Sequence, residues 1–215
     1  MGTIKKGILG GFSGKVGNVV GSNWKSISYM RSIPQKVKNP RTAAQVKHRA
    51  KFKMAVDYLR PLAPIIRIGW KDYAKKQSAF NAATTYFIKN VVEPYYVWDM
   101  EVNPNKVIIS RGTLTPAKQP LITISSTSLI VSWNDNSNVG NASSDDIALV
   151  AIVNRAKGEV LMSYKDHTRS SNYGQFTTPK NWIGDVVYFY IGFVSADGKI
   201  VADSTYIGLR TIPNL

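Results

Sequence analysis

The spacing of apolar residues changes near residue 91, and that change constrains the fold more than any other feature. From there onward apolar and polar residues alternate, which is the period of a half-buried β-strand. The alternation predicts seven or eight strands, at 95–102, 106–111, 121–125, 129–133, 147–154, 160–164, 186–194 and 200–207. Turn-forming residues separate them, and Asp197-Gly198 is typical of a hairpin. Short strands with no helical period between them predict an antiparallel β-sandwich over residues 93–215.

The segment before this change has the period of a helix. Thr42, followed three residues later by Gln45, is a capping-box signature, and prolines at 61 and 64 end the helix that it begins. Further helices are predicted at about 65–76 and 78–90. Three short helices bury little apolar surface by themselves, so we expect residues 42–92 to dock on a partner or another subunit.

Glycine dominates the start of the chain. Residues 2–22 hold seven glycines, a density that disfavours a helix and permits close packing or unusual backbone angles. Residues 23–33 alternate in part, which indicates an extended arm or a short strand. We therefore predict an α+β protein with three parts: a glycine-rich basic arm at 1–41, a helical segment at 42–92 and a sandwich at 93–215. The sandwich, tested as residues 91–215, is predicted to fold alone.

Charge divides the chain at nearly the same place. Of a formal net charge of +15, residues 1–90 contribute +16 from 18 basic and two acidic residues. Residues 91–215 contribute −1, from ten basic and eleven acidic residues. Such asymmetry is typical of two units with different surroundings, and the first half is suited to lie near something negative.

Basic and aromatic side chains alternate in that first half and form the candidate binding residues. The cations expected to bind nucleic acid or an acidic protein partner are Lys36, Lys38, Arg41, Lys47, Arg49, Lys51, Lys53 and Arg60. Trp24, Tyr29 and Trp70 are the residues expected to make assembly contacts. Lysine and arginine side chains that contact phosphates release condensed counterions and give salt-sensitive, sequence-independent affinity. A solvated basic face that only keeps the protein soluble is the third interpretation.

Sites for chemistry are hard to find in the sequence. There is no cysteine, which excludes disulfides, a thiol nucleophile and cysteine-ligated metals. Gly14-Lys15 lacks the spacing of a phosphate-binding loop, and His48 and His167 have no ligand-spaced partner. The loop with Asp135 and Asp145-Asp146 lacks the spacing of a calcium-binding EF-hand. We expect no enzyme activity, no cofactor, no metal and no small-molecule substrate.

Targeting signals are equally weak. No apolar run reaches the roughly 20 residues that cross a membrane, so no membrane span is predicted. The glycine-rich segment after Lys5 and Lys6 does not resemble the apolar part of a secretory signal peptide.

Two segments of the predicted sandwich resemble a known module. Residues 129–133 (LIVSW) resemble the second strand of a fibronectin type III-like module, in which a tryptophan fills the core. Residues 188–193 (YFYIGF), followed by Ser195-Ala196-Asp197-Gly198, resemble its penultimate strand and hairpin.

The whole chain is similar to an uncharacterised domain family, of about this length, found in Bacteroidota and their phages. Residues 11–21, the Asn39-Pro40-Arg41-Thr42 stretch with Ala44-Gln45, Arg49 and Phe52, and residues 195–199 and 204–208 carry that similarity. The stretch from Asn39 to Phe52, followed by a tryptophan-containing helix, also resembles segments of phage structural proteins. The resemblance implies a virion or prophage context and no catalytic residue.

Two functions are therefore expected. The first is a structural protein of a phage or prophage virion that forms a homo-oligomer, or joins other virion proteins, through its arm and helices. The second is a sequence-independent nucleic-acid-binding protein that uses basic residues of 1–90, located in the bacterial cytoplasm.

Overall fold

The computed structural model describes residues 2–4, 7, 10–24, 27–34, 39, 41–75, 77–94 and 100–214. It divides into two compact units, Met1–Thr42 and Ala43–Leu215. The helices and the sandwich strands therefore belong to one unit, while the glycine-rich segment forms the other. Each unit is described by itself.

The first unit is a four-stranded antiparallel sheet, hereafter the N-terminal sheet. Its strands are β1 (Thr3–Ile4), β2 (Phe12–Val16), β3 (Val19–Trp24) and β4 (Ile27–Ser32), and they pair in chain order. Gly17, at φ +57°, occupies the turn between β2 and β3, where a side chain would be strained. A Cβ atom on Gly21 would overlap the carbonyl oxygen and ring of Phe12. Glycine at these two positions therefore allows the turn and the close packing that this sheet needs.

Three helices begin the second unit: α1 (Ala43–Leu59), α2 (Ala63–Gly69) and α3 (Ala79–Asn90). The first and third match their predicted positions. The side chain of Ser78 begins α3 by accepting a hydrogen bond from the backbone N–H of Asn81 at 3.1 Å. The second helix is shorter than predicted. At its last residue, Gly69, an added Cβ would overlap the carbonyl oxygen of Ile109, so the backbones lie too close for a side chain.

The remaining strands are β5 (Val92–Pro94), β6 (Met100–Val102), β7 (Lys118–Ile124), β8 (Ser128–Asn134), β9 (Ile147–Asn154), β10 (Glu159–Ser163), β11 (Tyr173–Thr177), β12 (Val186–Val194) and β13 (Thr205–Thr211). One sheet has the order β10-β9-β12-β13 and another the order β11-β8-β7, with every pair antiparallel. The predicted antiparallel sandwich and α+β class are confirmed.

Some predicted strands differ from the structure. The strand predicted at 95–102 falls partly outside the described residues, and β6 covers its end. The strand predicted at 106–111 is wrong, because this segment bonds to other partners. The backbone N–H of Ile109 donates to the side chain of Ser204 at 2.9 Å, and that of Arg111 donates to the carbonyl of Gly69 at 2.9 Å. Strand β11 was not predicted.

The second unit has three layers, because the four-stranded sheet is covered on both faces. Its inner face packs on the three-stranded sheet through Trp133, Ile152 and Phe189. Its outer face packs on the helices through Ala151, Val153 and Tyr190. Strands β9 and β12 are consequently buried along almost their whole length.

A buried ion pair closes one end of the sandwich. Nε of Arg169 donates to Oδ2 of Asp146 at 3.0 Å, and both side chains are almost fully buried. The same guanidinium donates to Oδ1 of Asn136 at 2.6 Å and to the carbonyl of Thr115 at 2.8 Å, and its Cζ atom lies 3.9 Å from the ring centroid of Phe193. Asp146 therefore has a structural partner.

Candidate functional site

The N-terminal sheet exposes apolar side chains on both faces. The pairing of Trp24 with Ile27 and of Ser22 with Tyr29 places Trp24, Ile27 and Tyr29 on one face. Their exposed fractions are 62%, 63% and 44%. The same register places Lys15 and Arg31 on this face, on either side of Val20.

The opposite face of the N-terminal sheet is also apolar. The register places Ile4, Val16, Val19 and Met30 there, and Met30 is 71% exposed. Among the described residues from 2 to 34, only Gly21 is buried. An isolated sheet with both faces in water gains little from the hydrophobic effect, and contiguous exposed apolar area on a protein commonly marks an interaction site.

The predicted cations lie largely where a partner can reach them. Arg41, Lys47, Arg49, Lys53 and Arg60 are exposed, and Lys51 is half-buried. Lys36 and Lys38 lie outside the described residues. Residues 43–53 of α1 contain no acidic side chain, and the first turn has none to offset the positive end of the helix dipole. Every charged side chain in the first three turns of α1 is therefore basic.

Two sequence expectations about helix packing need correction. The helical spacing of Val46 and Phe52 with other apolar residues predicts that both lie on the packed face of α1, but they are 48% and 53% exposed, and burial in this helix is limited to Ala55 and Leu59. Trp70, expected to make assembly contacts, is 2% exposed, and its Nε1 donates to the carbonyl of Ile108 at 3.2 Å. Its indole belongs to the core and is not available to a partner.

Helices α1 and α3 form a groove of about 540 Å³ between them, hereafter the α1–α3 groove. Its lining comprises His48, Phe52, Gln77, Asn81, Thr84, Thr85, Ile88 and Lys89. A neighbouring depression along α1 shares His48 and Phe52 and adds Gln45 and Arg49. Among the residues that the structure describes, no acidic side chain lines either one. The sequence pointed to Phe52 and Arg49 but gave no signal for the polar residues of α3.

A second groove, of about 440 Å³, lies between α1 and the outer sheet. Met54, Tyr58, Pro61, Val153 and Val160 are among its lining residues, and Lys53, Arg155 and Asp57 also contribute. The hydroxyl of Tyr58 is 3.0 Å from that of Tyr190, and burial raises the pKa of Tyr58 to about 12. At neutral pH both are neutral phenols that stabilise the contact between helix and sheet.

The described residues contain no group of three or more histidine, cysteine or acidic side chains placed to hold a metal ion. The pKa values of Glu93 and Asp185 are lowered chiefly by hydrogen bonds from Lys106 and Lys157, which form exposed or partly exposed ion pairs with them. That of Asp135 is lowered by hydrogen bonds from Ser137. These are surface contacts and turns. Within the described part of the chain, no helix is both long and apolar enough to span a membrane.

The fold and its exposed surfaces define an α+β protein with a β-sandwich in its larger unit. Residues 11–208 match the family of unknown function DUF6266, and the chain belongs to that family. No curated protein matches the chain. Among solved structures, it is similar to the fourth fibronectin type III domain of a human protein, at 20% identity and a TM-score of 0.33. That match covers 48% of this chain and 86% of the other.

Proposed function

We propose that this protein is a non-enzymatic structural component of a phage or prophage virion, and that it assembles through the N-terminal sheet. The observation that carries the proposal is the exposure of apolar residues on both faces of this sheet. Burying one exposed apolar side chain in a partner contributes about 1.5–3 kcal/mol, so several such residues together can offset the entropy lost on association.

Charge indicates what the N-terminal sheet contacts. Residues 1–42 contain eight basic residues and no acidic residue. Two copies of this unit would repel each other face to face, whereas an acidic surface on another subunit complements them. The proposed contact is therefore heterologous: the sheet of one subunit binds a different, acidic surface of its neighbour.

The virion context comes from sequence similarity. We infer this context from the resemblance, noted above, of residues 39–42 (NPRT), with Gln45, Arg49 and Phe52, to segments of phage structural proteins. The proposal includes an origin of this protein in the Bacteroidota or in their phages. The virion is the proposed location, and other virion proteins or further copies of this chain are the proposed partners.

Light scattering of the purified full chain tests assembly directly. We expect a defined oligomer, or a defined complex with an added virion protein, that persists at high salt because apolar burial is its main driving force. The variant with Trp24→Ser and Met30→Ser should lose that mass, whereas the matched exposed-aromatic variant Tyr173→Ser should keep it. The proposal would be overturned if the unmodified chain and both variants all had the mass of a monomer, and if no added candidate partner raised that mass.

Binding to nucleic acid is the second candidate function. The observation that favours it is the acid-free, exposed start of α1, which carries Lys47, Arg49 and Lys53. Such a surface would bind phosphates with an affinity that falls steeply as salt rises. A monomer that binds DNA at low salt and releases it at high salt would promote this function over assembly.

A further inference from the structure

We propose that the α1–α3 groove binds single-stranded nucleic acid, with the ring of Phe52 stacking on an unpaired base. This inference gives the second candidate function a location and a preferred ligand. It does not depend on assembly through the N-terminal sheet, because every residue of the groove belongs to the second unit.

Phe52 is the first part of the argument. It lines both the α1–α3 groove and the adjoining depression, and it is 53% exposed. A phenylalanine at that exposure contributes little to the core of its own unit. An exposed aromatic ring in a groove is the usual platform on which single-stranded binding proteins stack a base.

Charge is the second part. Lys89 lies in the α1–α3 groove and Arg49 in the adjoining depression, and the described residues of both linings include no carboxylate. The other groove of α1 differs, because Asp57 is part of its lining. A cationic groove with an aromatic ring complements a phosphate backbone whose bases face the protein.

The polar lining distinguishes a nucleic acid from an acidic amphipathic helix. Besides the apolar Phe52 and Ile88, the groove carries the exposed side chains of Gln77 and Asn81 and the imidazole of His48. Under the apolar face of a helix these groups would be desolvated without partners, which is costly. Base edges offer both donors and acceptors to amide and imidazole groups.

The position of the ring favours a single strand over a duplex. Bases in a duplex are stacked on one another, and their faces are unavailable to a side chain. A flexible single strand can place one base against Phe52 while its phosphates contact Lys89 and Arg49. Because stacking does not read base identity, the site is expected to show little sequence preference.

Fluorescence anisotropy with the full chain tests the site. The probe is a labelled oligothymidylate of about 12 nucleotides, compared with a duplex of the same length. We expect tighter binding of the single strand, and Phe52→Leu should weaken it roughly 5- to 150-fold by removing the aromatic face while keeping apolar volume. Phe52→Trp should retain or improve binding.

The charge contribution is measured by salt dependence. Lys89→Gln should reduce the slope of log affinity against log salt by about 0.7, the contribution of one phosphate contact in a single strand. Lys118→Gln, an exposed lysine on β7 in the sheet opposite the helices, is the matched control and should leave the slope unchanged.

Each contrary result overturns the proposal in a recognisable way. Equal affinity of the Phe52→Leu variant and the unmodified chain would exclude stacking. If duplex and single strand bound equally, or if polyglutamate competed as effectively as DNA, the groove would bind anions only through its general positive charge. Absence of binding would remove the site altogether. The mass of the Phe52→Leu variant by light scattering separates this test from assembly, because we expect that mass to be unchanged.

Discussion

Strand β9 of the sandwich and strand β4 of the N-terminal sheet illustrate two opposite uses of apolar residues. Nearly every residue of β9 is buried, since one of its faces packs on the three-stranded sheet and the other on the helices. Every residue of β4 is exposed, although it carries Ile27, Tyr29 and Met30. The apolar residues of β9 are thus buried within the protein itself, whereas those of β4 remain exposed and available to a partner. Stability resides in the sandwich unit, and interaction is expected in the N-terminal sheet.

The charges of the two regions differ in the same way. Several acidic side chains of the sandwich unit have cationic partners, as in the buried pair of Arg169 and Asp146 and the pair of Lys157 and Asp185 at 2.8 Å. The unit at residues 1–42 has eight cations and no acidic residue to pair with them. An acidic partner would supply the missing opposite charge.

Truncation has the largest expected effect and tests where the folded region begins. Residues 43–215 should melt cooperatively, because the helices and strands share a core. Residues 91–215 should aggregate or remain unfolded, since removing the helices exposes Ala151, Val153 and Tyr190 to water. Calorimetry and circular dichroism measure both. Cooperative melting of residues 91–215 would instead support the division near residue 92 that the sequence predicts.

Breaking the buried ion pair should destabilise the sandwich strongly. Asp146→Ala leaves the buried guanidinium of Arg169 without its counter-charge, and loss of one partner of such a pair costs about 3–5 kcal/mol. Urea denaturation measures the change. Lys199→Ala, which removes the exposed pair with Asp197, is the control and should leave the urea midpoint nearly unchanged. Similar midpoints for the two variants would contradict the structural role of Arg169.

Alkaline pH should loosen the contact between the helices and the sheet. Burial raises the pKa of Tyr58 to about 12, against about 10 in an unfolded chain, and also raises that of Tyr190. The folded state holds these protons more tightly, so the stabilisation is intact below pH 10 and is lost as pH rises toward 12. By about pH 12, the titration of Tyr58 alone should lower the free energy of unfolding by about 2 kcal/mol.

Urea midpoints measured between pH 8 and about pH 12 would show this fall. Tyr58→Phe keeps the ring and removes the titrating hydroxyl, so its stability should depend less on alkaline pH than that of the unmodified chain. Identical pH profiles would show that Tyr58 does not titrate as its burial requires.

Changes on the N-terminal sheet should have the smallest effect on stability. The double variant with Trp24→Ser and Met30→Ser replaces two exposed side chains. The free energy of unfolding of the sandwich unit should therefore change by less than about 0.5 kcal/mol. Its effect should be confined to the mass of the assembly. A large loss of thermal stability in the isolated chain would mean that these residues stabilise the fold itself, which would break the contrast between the two regions.

Much of the fold was predictable because local signals agree with it. The proline-bounded helix, the Asp197-Gly198 turn and the alternation in β8 each correspond to an element of the structure. The three-layer packing was not predicted, although the continuous apolar runs of β9 and β12 indicate strands covered on both faces. The prediction of a strand at 106–111 was wrong because the backbone of this segment forms hydrogen bonds with a helix end and with a serine far along the chain. No local sequence pattern encodes these bonds.

The candidate site was predictable only in part. The cations of α1 are evident from composition, and most of those that the structure describes are exposed. Trp70 was misplaced because aromatic spacing alone does not separate a core residue from a surface residue. Gln77, Asn81 and Lys89 were missed because they belong to the groove only through the packing of α3 beside α1.

The tyrosine contact between helix and sheet also bears on biosynthesis. Tyr58 and Tyr190 are 132 residues apart in sequence, so the helices leave the ribosome long before the strands that cover them exist. At about 5–20 residues per second, that interval lasts on the order of 10 seconds. During it, the apolar face of α2 and α3 is open to chaperones and to neighbouring nascent chains. Folding of this unit is thus expected to finish late, when β12 arrives and closes the layer beneath the helices.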